Sequence, residues 1–294
     1  MAAGRRPHPM SRGPGSPATT GRSVLFALPA VLPVLAVLGV SLTAAVLQSL
    51  GLMPFIGPPD LSFEAWTGNT GELFRATGLS LYIAATATVF SVCIGFLIAA
   101  YVLAMPRMGR IVAALSAATI PIPHVIGAGA IGLLLSDSGF LERLLGMPDA
   151  FPVLVGGPWW IAAITEYAWK ESAFVALVVL GSIARSVGEL CDAAATLGAT
   201  ATQRILRVVL PLAMPSLAVS AVIVFVYTLG SYEAVWLLGP TSPEPLPVRA
   251  VRLFGSVDLA ARPQAMATAL VSVAVGAAAI LAGILVLRRV RGFR

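Results

Sequence analysis

The chain has 294 residues; 58% are hydrophobic, 11% are charged, and the formal net charge is +6. A soluble domain carries about 25% charged residues, so the composition excludes an ordinary soluble enzyme. It also excludes a disordered chain, which needs low hydrophobicity and high charge. What remains is an integral membrane protein built from helices. The basicity comes from eighteen arginines and the single lysine Lys170; the arginines sort by membrane side, so they point to no nucleic-acid partner. The two cysteines, Cys93 and Cys191, suggest no disulfide framework.

Residues 1–22, rich in Gly, Pro, Ser and Arg, read as a disordered cytoplasmic tail. They are not expected to be a cleaved signal peptide, because the apolar run that follows is about twice as long as the usual 7–15-residue core. Crossing about 30 Å of hydrocarbon takes about 20 apolar helical residues. Runs of that kind cover 23–50, 77–104, 111–136, 213–238 (if Glu233 is tolerated) and 265–287. A sixth span, 158–182, carries Glu166, Lys170 and Glu171 in its interior. The expected fold class is therefore all-α integral membrane with six transmembrane helices. With the N-terminus inside, thirteen arginines fall on the cytoplasmic side, against Arg75, Arg143, Arg249, Arg252 and Arg262 outside. Excess Arg marks the cytoplasmic side, so the topology reads N-in/C-in.

Within the spans, Glu166 lies four residues before Lys170, the favoured order for a helical ion pair. The pair reads either as an internal packing bridge or as part of the lining of a path. Trp159 and Trp160 read as markers of the outer interface of span 4. Glu233, beside Tyr232 and Trp236, reads either as an attractor for a cationic solute or as the partner of Arg249 or Arg252. His124 reads as a packing residue, since His8 is the only other histidine and no metal cluster is available.

The loop over 183–212 is too ordered in pattern to be a passive connector. Good helix formers run from Val187 to Leu197, and Gly198 stands where a left-handed residue would end the helix. Thr200 and Gln203 form a capping box that starts a second helix. Pro211 is expected to end or kink that helix before span 5. The pattern is a helix–Gly–helix elbow with an apolar face made by Ile205, Leu206, Val208 and Val209.

These residues also carry a resemblance. Asp192-Ala193-Ala194, three residues, Gly198, nine residues, then Val208-x-Leu210-Pro211 resembles the EAA motif of binding-protein-dependent ABC importer permeases. That motif reads Glu-Ala-Ala, three residues, Gly, nine residues, Ile-x-Leu-Pro. Asp192 replaces Glu and Val208 replaces Ile. Trp169-Lys170 ahead of Phe174 is similar to a pair many such permeases carry, although Ala173 stands where they have Pro. Pro121-Ile122-Pro123 with Gly127–Gly132 resembles their third core helix. Gly230-Ser231-Tyr232-Glu233, ending at Leu238-Gly239, resembles span 5 of the polyamine, thiamine, ferric-iron and sulfate branch.

The resemblance covers about residues 70–290 and implies the type I ABC importer permease fold. It implies that Asp192, Ala193, Ala194, Gly198, Ala199, Gln203, Arg204, Ile205, Leu210 and Pro211 couple to separate ABC ATPase subunits. It implies a second permease subunit, identical or different, an extracytoplasmic solute-binding protein, and a place among the lipids of a bacterial inner, or cytoplasmic, membrane. Glu166, Lys170, Tyr232 and Glu233 become candidates for the translocation path, with a polyamine-like solute as the first expectation. ATP and Mg would sit on the partner ATPase, and no cofactor or metal is expected in this chain. Independently, a P-loop needs a Gly-Lys-Ser/Thr end; Lys170 is flanked by Trp169 and Glu171, so no such motif exists here. An intramembrane protease finds no His-Glu-x-x-His helix and no paired Asp at membrane depth. An ion-driven secondary transporter without an ATPase partner remains the alternative, for which Pro121-Ile122-Pro123 would be the broken helix.

Overall fold

The computed structural model describes residues 18–147 and 150–291. Apart from 18–22, the tail expected over 1–22 lies outside the described residues. Among those described, every regular element is helical. The chain divides into two units after Ala45. The first holds most of α1 (Ala18–Ser49), a long apolar helix with Pro29 and Pro33 inside it. It begins before Arg22, so the helical segment is longer than the apolar run alone.

The second unit contains α2 (Glu64–Thr67), α3 (Thr70–Ala104), α4 (Pro106–Thr119), α5 (His124–Leu135), α6 (Phe140–Leu145) and α7 (Ile161–Ile183). These are followed by α8 (Val187–Thr196), α9 (Ala201–Arg204), a π-helical turn over Ile205–Val209 and α10 (Leu210–Gly230). The chain ends with α11 (Glu233–Leu238), α12 (Leu246–Phe254), a 3-10 turn (Leu259–Ala261) and α13 (Arg262–Arg291). Among the described residues five stretches are long and apolar enough to cross a membrane, and α7 taken together with the helix α8 that bends 73° away from it makes up to six.

The core is built around α7, which packs against α3, α4, α5, α10 and α11. Two apolar clusters flank its length. One joins Ile83, Ile131, Tyr167 and Leu238; the other joins Ala99, Val175, Val179 and Leu217. Small residues let the helices approach. A Cβ on Gly95 of α3 would lie 2.6 Å from Val175 Cβ and 2.7 Å from the Ser172 carbonyl. The outer faces are apolar and exposed, as at Leu97, Leu133 and Leu285, while the charged Glu166 and Lys170 are buried inside on α7. A soluble fold distributes these the other way round.

Two of the expected spans are broken. The run 111–136 contains the end of α4 and all of α5, separated at residues 120–123. Pro121 and Pro123 have no N–H to continue the ladder, and the backbone leaves the helical region at Pro123 (ψ 144°) before α5 starts. The run 213–238 stops at Gly230, with Ser231 extended (ψ 139°), and α11 begins at Glu233. Trp160 does not mark an interface; it is 1% exposed, in the left-handed region at φ 57°, with Gly239 against its ring. Its neighbour Trp159 is exposed.

Candidate functional site

Helix α8 ends in a Schellman motif. The Ala199 N–H donates to the Ala194 carbonyl at 3.0 Å and the Gly198 N–H to the Ala195 carbonyl at 2.9 Å, the 6→1 and 5→2 pattern of that motif. It requires a left-handed residue at Gly198, whose φ is 82°. Two residues on, Gln203 N–H donates to Thr200 Oγ1 and Thr200 N–H to Gln203 Oε1, closing a capping box. Together these two local motifs turn the chain sharply and start α9.

Pro211 does not end the second helix of the loop. Helix α9 runs through the π turn into α10, so Ala201–Gly230 is one helical stretch, with Pro211 in the first turn of α10. The wider turn, in which the Leu210 N–H reaches back to the Ile205 carbonyl, accommodates the ring and its missing N–H.

The elbow presents apolar surface. Leu197 is 89% exposed; Leu190 and Leu206 are also exposed, as are Asp192, Ala193, Gly198, Gln203 and Pro211. Ala194, Ala199, Arg204, Ile205 and Leu210 are half-buried. Arg204 and Ile205, with Cys191 and Val209, line a small hollow closed by Ala100, Leu103 and Ala104 at the end of α3. Buried apolar area anchors the elbow's inner side to the bundle, and the outer leucines are exposed among the described residues.

The second candidate region is the break between α4 and α5. Lys170 and Glu166 do not pair with each other; among the described residues no ion pair joins them within 4.0 Å. Lys170 Nζ instead donates to the Ile122 carbonyl. Glu166 Oε1 and Oε2 lie 3.0 and 3.3 Å from His124 Nδ1. Glu171 Oε1 lies 3.4 Å from the other ring nitrogen, and the rings of Tyr167 and Tyr227 flank the imidazole at 5.9 and 5.1 Å. Glu166 and Lys170 are 0% and 6% exposed.

Sequence reasoning placed His124 as a packing residue and missed this cluster. The available signal was a histidine directly after Pro-Ile-Pro, opposite a span carrying two glutamates. Gly127 is small for this reason: a Cβ there would lie 2.9 Å from Glu166 Oε1.

Tyr232 and Glu233 stand apart from the cluster. Tyr232 stacks on Trp236 at 5.9 Å between ring centroids, and Glu233 is exposed at the start of α11. Neither Arg249 nor Arg252 pairs with it. Arg249, 7% exposed, donates to Glu72 at 2.5 Å, and Arg252 donates to Glu244 at 2.5 Å. Glu72 is far from Arg249 in sequence and reaches it because α12 packs back on α3, whereas Glu244 is only eight residues from Arg252. Among the described residues no cluster of three or more His, Cys, Asp or Glu side chains is placed to hold a metal ion.

The profile of the family described as "binding-protein-dependent transport system inner membrane component" matches residues 91–292. No curated protein sequence matches significantly. Solved structures share the fold. One is a bacterial ABC transporter involved in the import of the acidic polysaccharide alginate (23% identity, TM-score 0.74, 92% of this chain and 97% of that one). Another is a bacterial alginate ABC transporter in complex with an alginate pentasaccharide-bound periplasmic protein (22% identity, TM-score 0.71, 93% of each chain). The inward-facing MetNI methionine ABC transporter matches at 19% identity and TM-score 0.60, over 76% of this chain and 98% of that one. By the profile match and the shared fold, the chain belongs to the binding-protein-dependent transport system inner membrane components, the permease subunits of type I ABC importers.

Proposed function

We propose that this permease couples to a separate ATPase through the α8–α9 elbow and carries its solute across the inner membrane of a bacterium with both termini in the cytoplasm. The observation that carries the reading is the elbow itself. A Schellman motif and a capping box hold Gly198 and Leu197 at its tip, with leucines exposed on a segment whose other face is anchored. An apolar, rigidly turned projection is suited to a groove on another protein. In this reading Asp192, Ala193, Ala194, Gly198, Gln203 and Pro211 face the ATPase, and the half-buried Ala199, Arg204, Ile205 and Leu210 hold the elbow to the bundle. ATP and Mg are bound by the partner. A second permease subunit completes the path, and a solute-binding protein delivers to the face bearing α11 and α12.

For the solute, the supporting feature is Glu233. It is exposed, unpaired among the described residues within 4.0 Å, and adjacent to the stacked pair Tyr232–Trp236. A carboxylate beside aromatic faces favours an organic cation, so the reading remains polyamine-like. The test of the coupling is affinity purification of the tagged chain in mild detergent, with partners identified by mass. Recovery of an ATPase subunit from the parent, and its loss when Gly198 is replaced by Val, supports the proposal. Recovery of the chain alone, with transport that persists without ATP, overturns it in favour of an ion-driven carrier.

A further inference from the structure

The break between α4 and α5 is held at both ends by one helix. In a continuous helix the Ile122 carbonyl would accept from the Ile126 N–H; here that N–H bonds the Pro123 carbonyl at 3.0 Å. The Ile122 carbonyl is left without its helical donor, and Lys170 Nζ supplies one. A positive charge thus sits where the chain leaves α4, at the end whose aligned carbonyls carry partial negative charge. One turn earlier on α7, Glu166 lies against the first turn of α5. It contacts His124, the first residue of that helix, at 3.0 Å and approaches Gly127. A negative charge thus sits where exposed N–H groups carry partial positive charge. Glu171 closes the far side of the imidazole at 3.4 Å.

The pairing has a direction. Buried charges are costly at membrane depth unless they are satisfied. Glu166 and Lys170 have the spacing for mutual pairing, yet each is committed to one end of the break. We propose that Lys170 and Glu166 are positioning residues that clamp the bend between α4 and α5, with His124 as the tie to α5, so that α7 sets the angle of the two half-helices. Helix α7 continues through a 73° bend into α8. If α8 is the ATPase-docking element, a point that rests on the proposed function, displacement of the elbow reaches the broken span through the clamp.

The experiment measures the bend directly. Spin labels are placed at Met108→Cys on α4 and Leu133→Cys on α5, both exposed, in the full chain with Cys93→Ser and Cys191→Ser, in lipid nanodiscs. The parent and Lys170→Arg give a single narrow distance distribution. Lys170→Met broadens or shifts it beyond the parent's width. The double exchange Glu166→Lys with Lys170→Glu keeps both charges and their spacing but sets each against the wrong helix end, and it does the same. A parent-like distribution in the exchanged variant overturns the clamp, because the two charges then need only each other. If the exchanged variant does not accumulate, Lys170→Met decides alone, and a parent-like distribution there overturns the clamp. The distances need no ATPase, so lost transport with an intact bend counts against the coupling and not against the clamp.

Discussion

Gly198 offers a graded test, because its backbone and its surroundings make separable demands. Its φ of 82° is in the left-handed region, and a Cβ built on it would have no heavy atom of the described residues within 4 Å. Substitution therefore creates no internal clash, and its intrinsic cost is conformational. A residue with a Cβ pays about 1–2 kcal/mol for that region. Asn pays less, since its short side chain bonds locally and it is the second choice at this position of a Schellman motif. A β-branched residue pays more. A cost of one to two kcal/mol changes the population of the turned elbow by about 5–30-fold. The expected order of ATPase recovery, read by co-purification at equal amounts of inserted protein, is Gly, then Asn, then Ala, then Val. Asn is bulkier than Ala, so the order separates backbone from bulk. Ala performing better than Asn would refute the conformational argument and shift the constraint to the space available in the partner's groove.

Other outcomes follow from the packing. Gly95→Ala forces its Cβ against Val175 and the Ser172 carbonyl of the neighbouring helix; overpacking of this kind costs about 1–3 kcal/mol, read as a lower thermal midpoint in detergent. Gly239→Ala presses on the buried Trp160 ring, and fluorescence of that tryptophan should report increased exposure together with a stability loss of about 1–3 kcal/mol. Glu72→Gln weakens the bond to the buried Arg249. Because Glu72 is 61% exposed, the loss should fall below the roughly 1.5–3 kcal/mol of a charged hydrogen bond, and an unchanged midpoint would show that the Arg249 guanidinium is satisfied elsewhere.

Much of the fold was legible because bilayer length and local chemistry act over short stretches of sequence. The helical class followed from apolar runs, and the elbow followed from Gly198, Thr200 and Gln203, whose capping chemistry is contained within a few residues. What the sequence left open depends on neighbours distant in the chain. The spacing of Glu166 and Lys170 suggested a mutual bridge; only the position of α4–α5 against α7 sends Lys170 to Ile122 and Glu166 to His124. The same holds for Arg249, which reaches Glu72 across the α12–α3 contact rather than Glu233, and for Trp160, whose burial depends on the approach of Gly239. Pro211 was legible as a helix disturbance, but the π turn that absorbs it has no sequence signature of comparable strength.

The central claim is that the elbow tip meets an ATPase. A photo-crosslinking amino acid at Leu197, 89% exposed at the tip, is compared in intact membranes with one at Leu133, 76% exposed on α5. The account predicts an adduct with the mass of an ATPase subunit at 197 and none at 133. No such adduct at 197, or equal adducts at both positions, would contradict it.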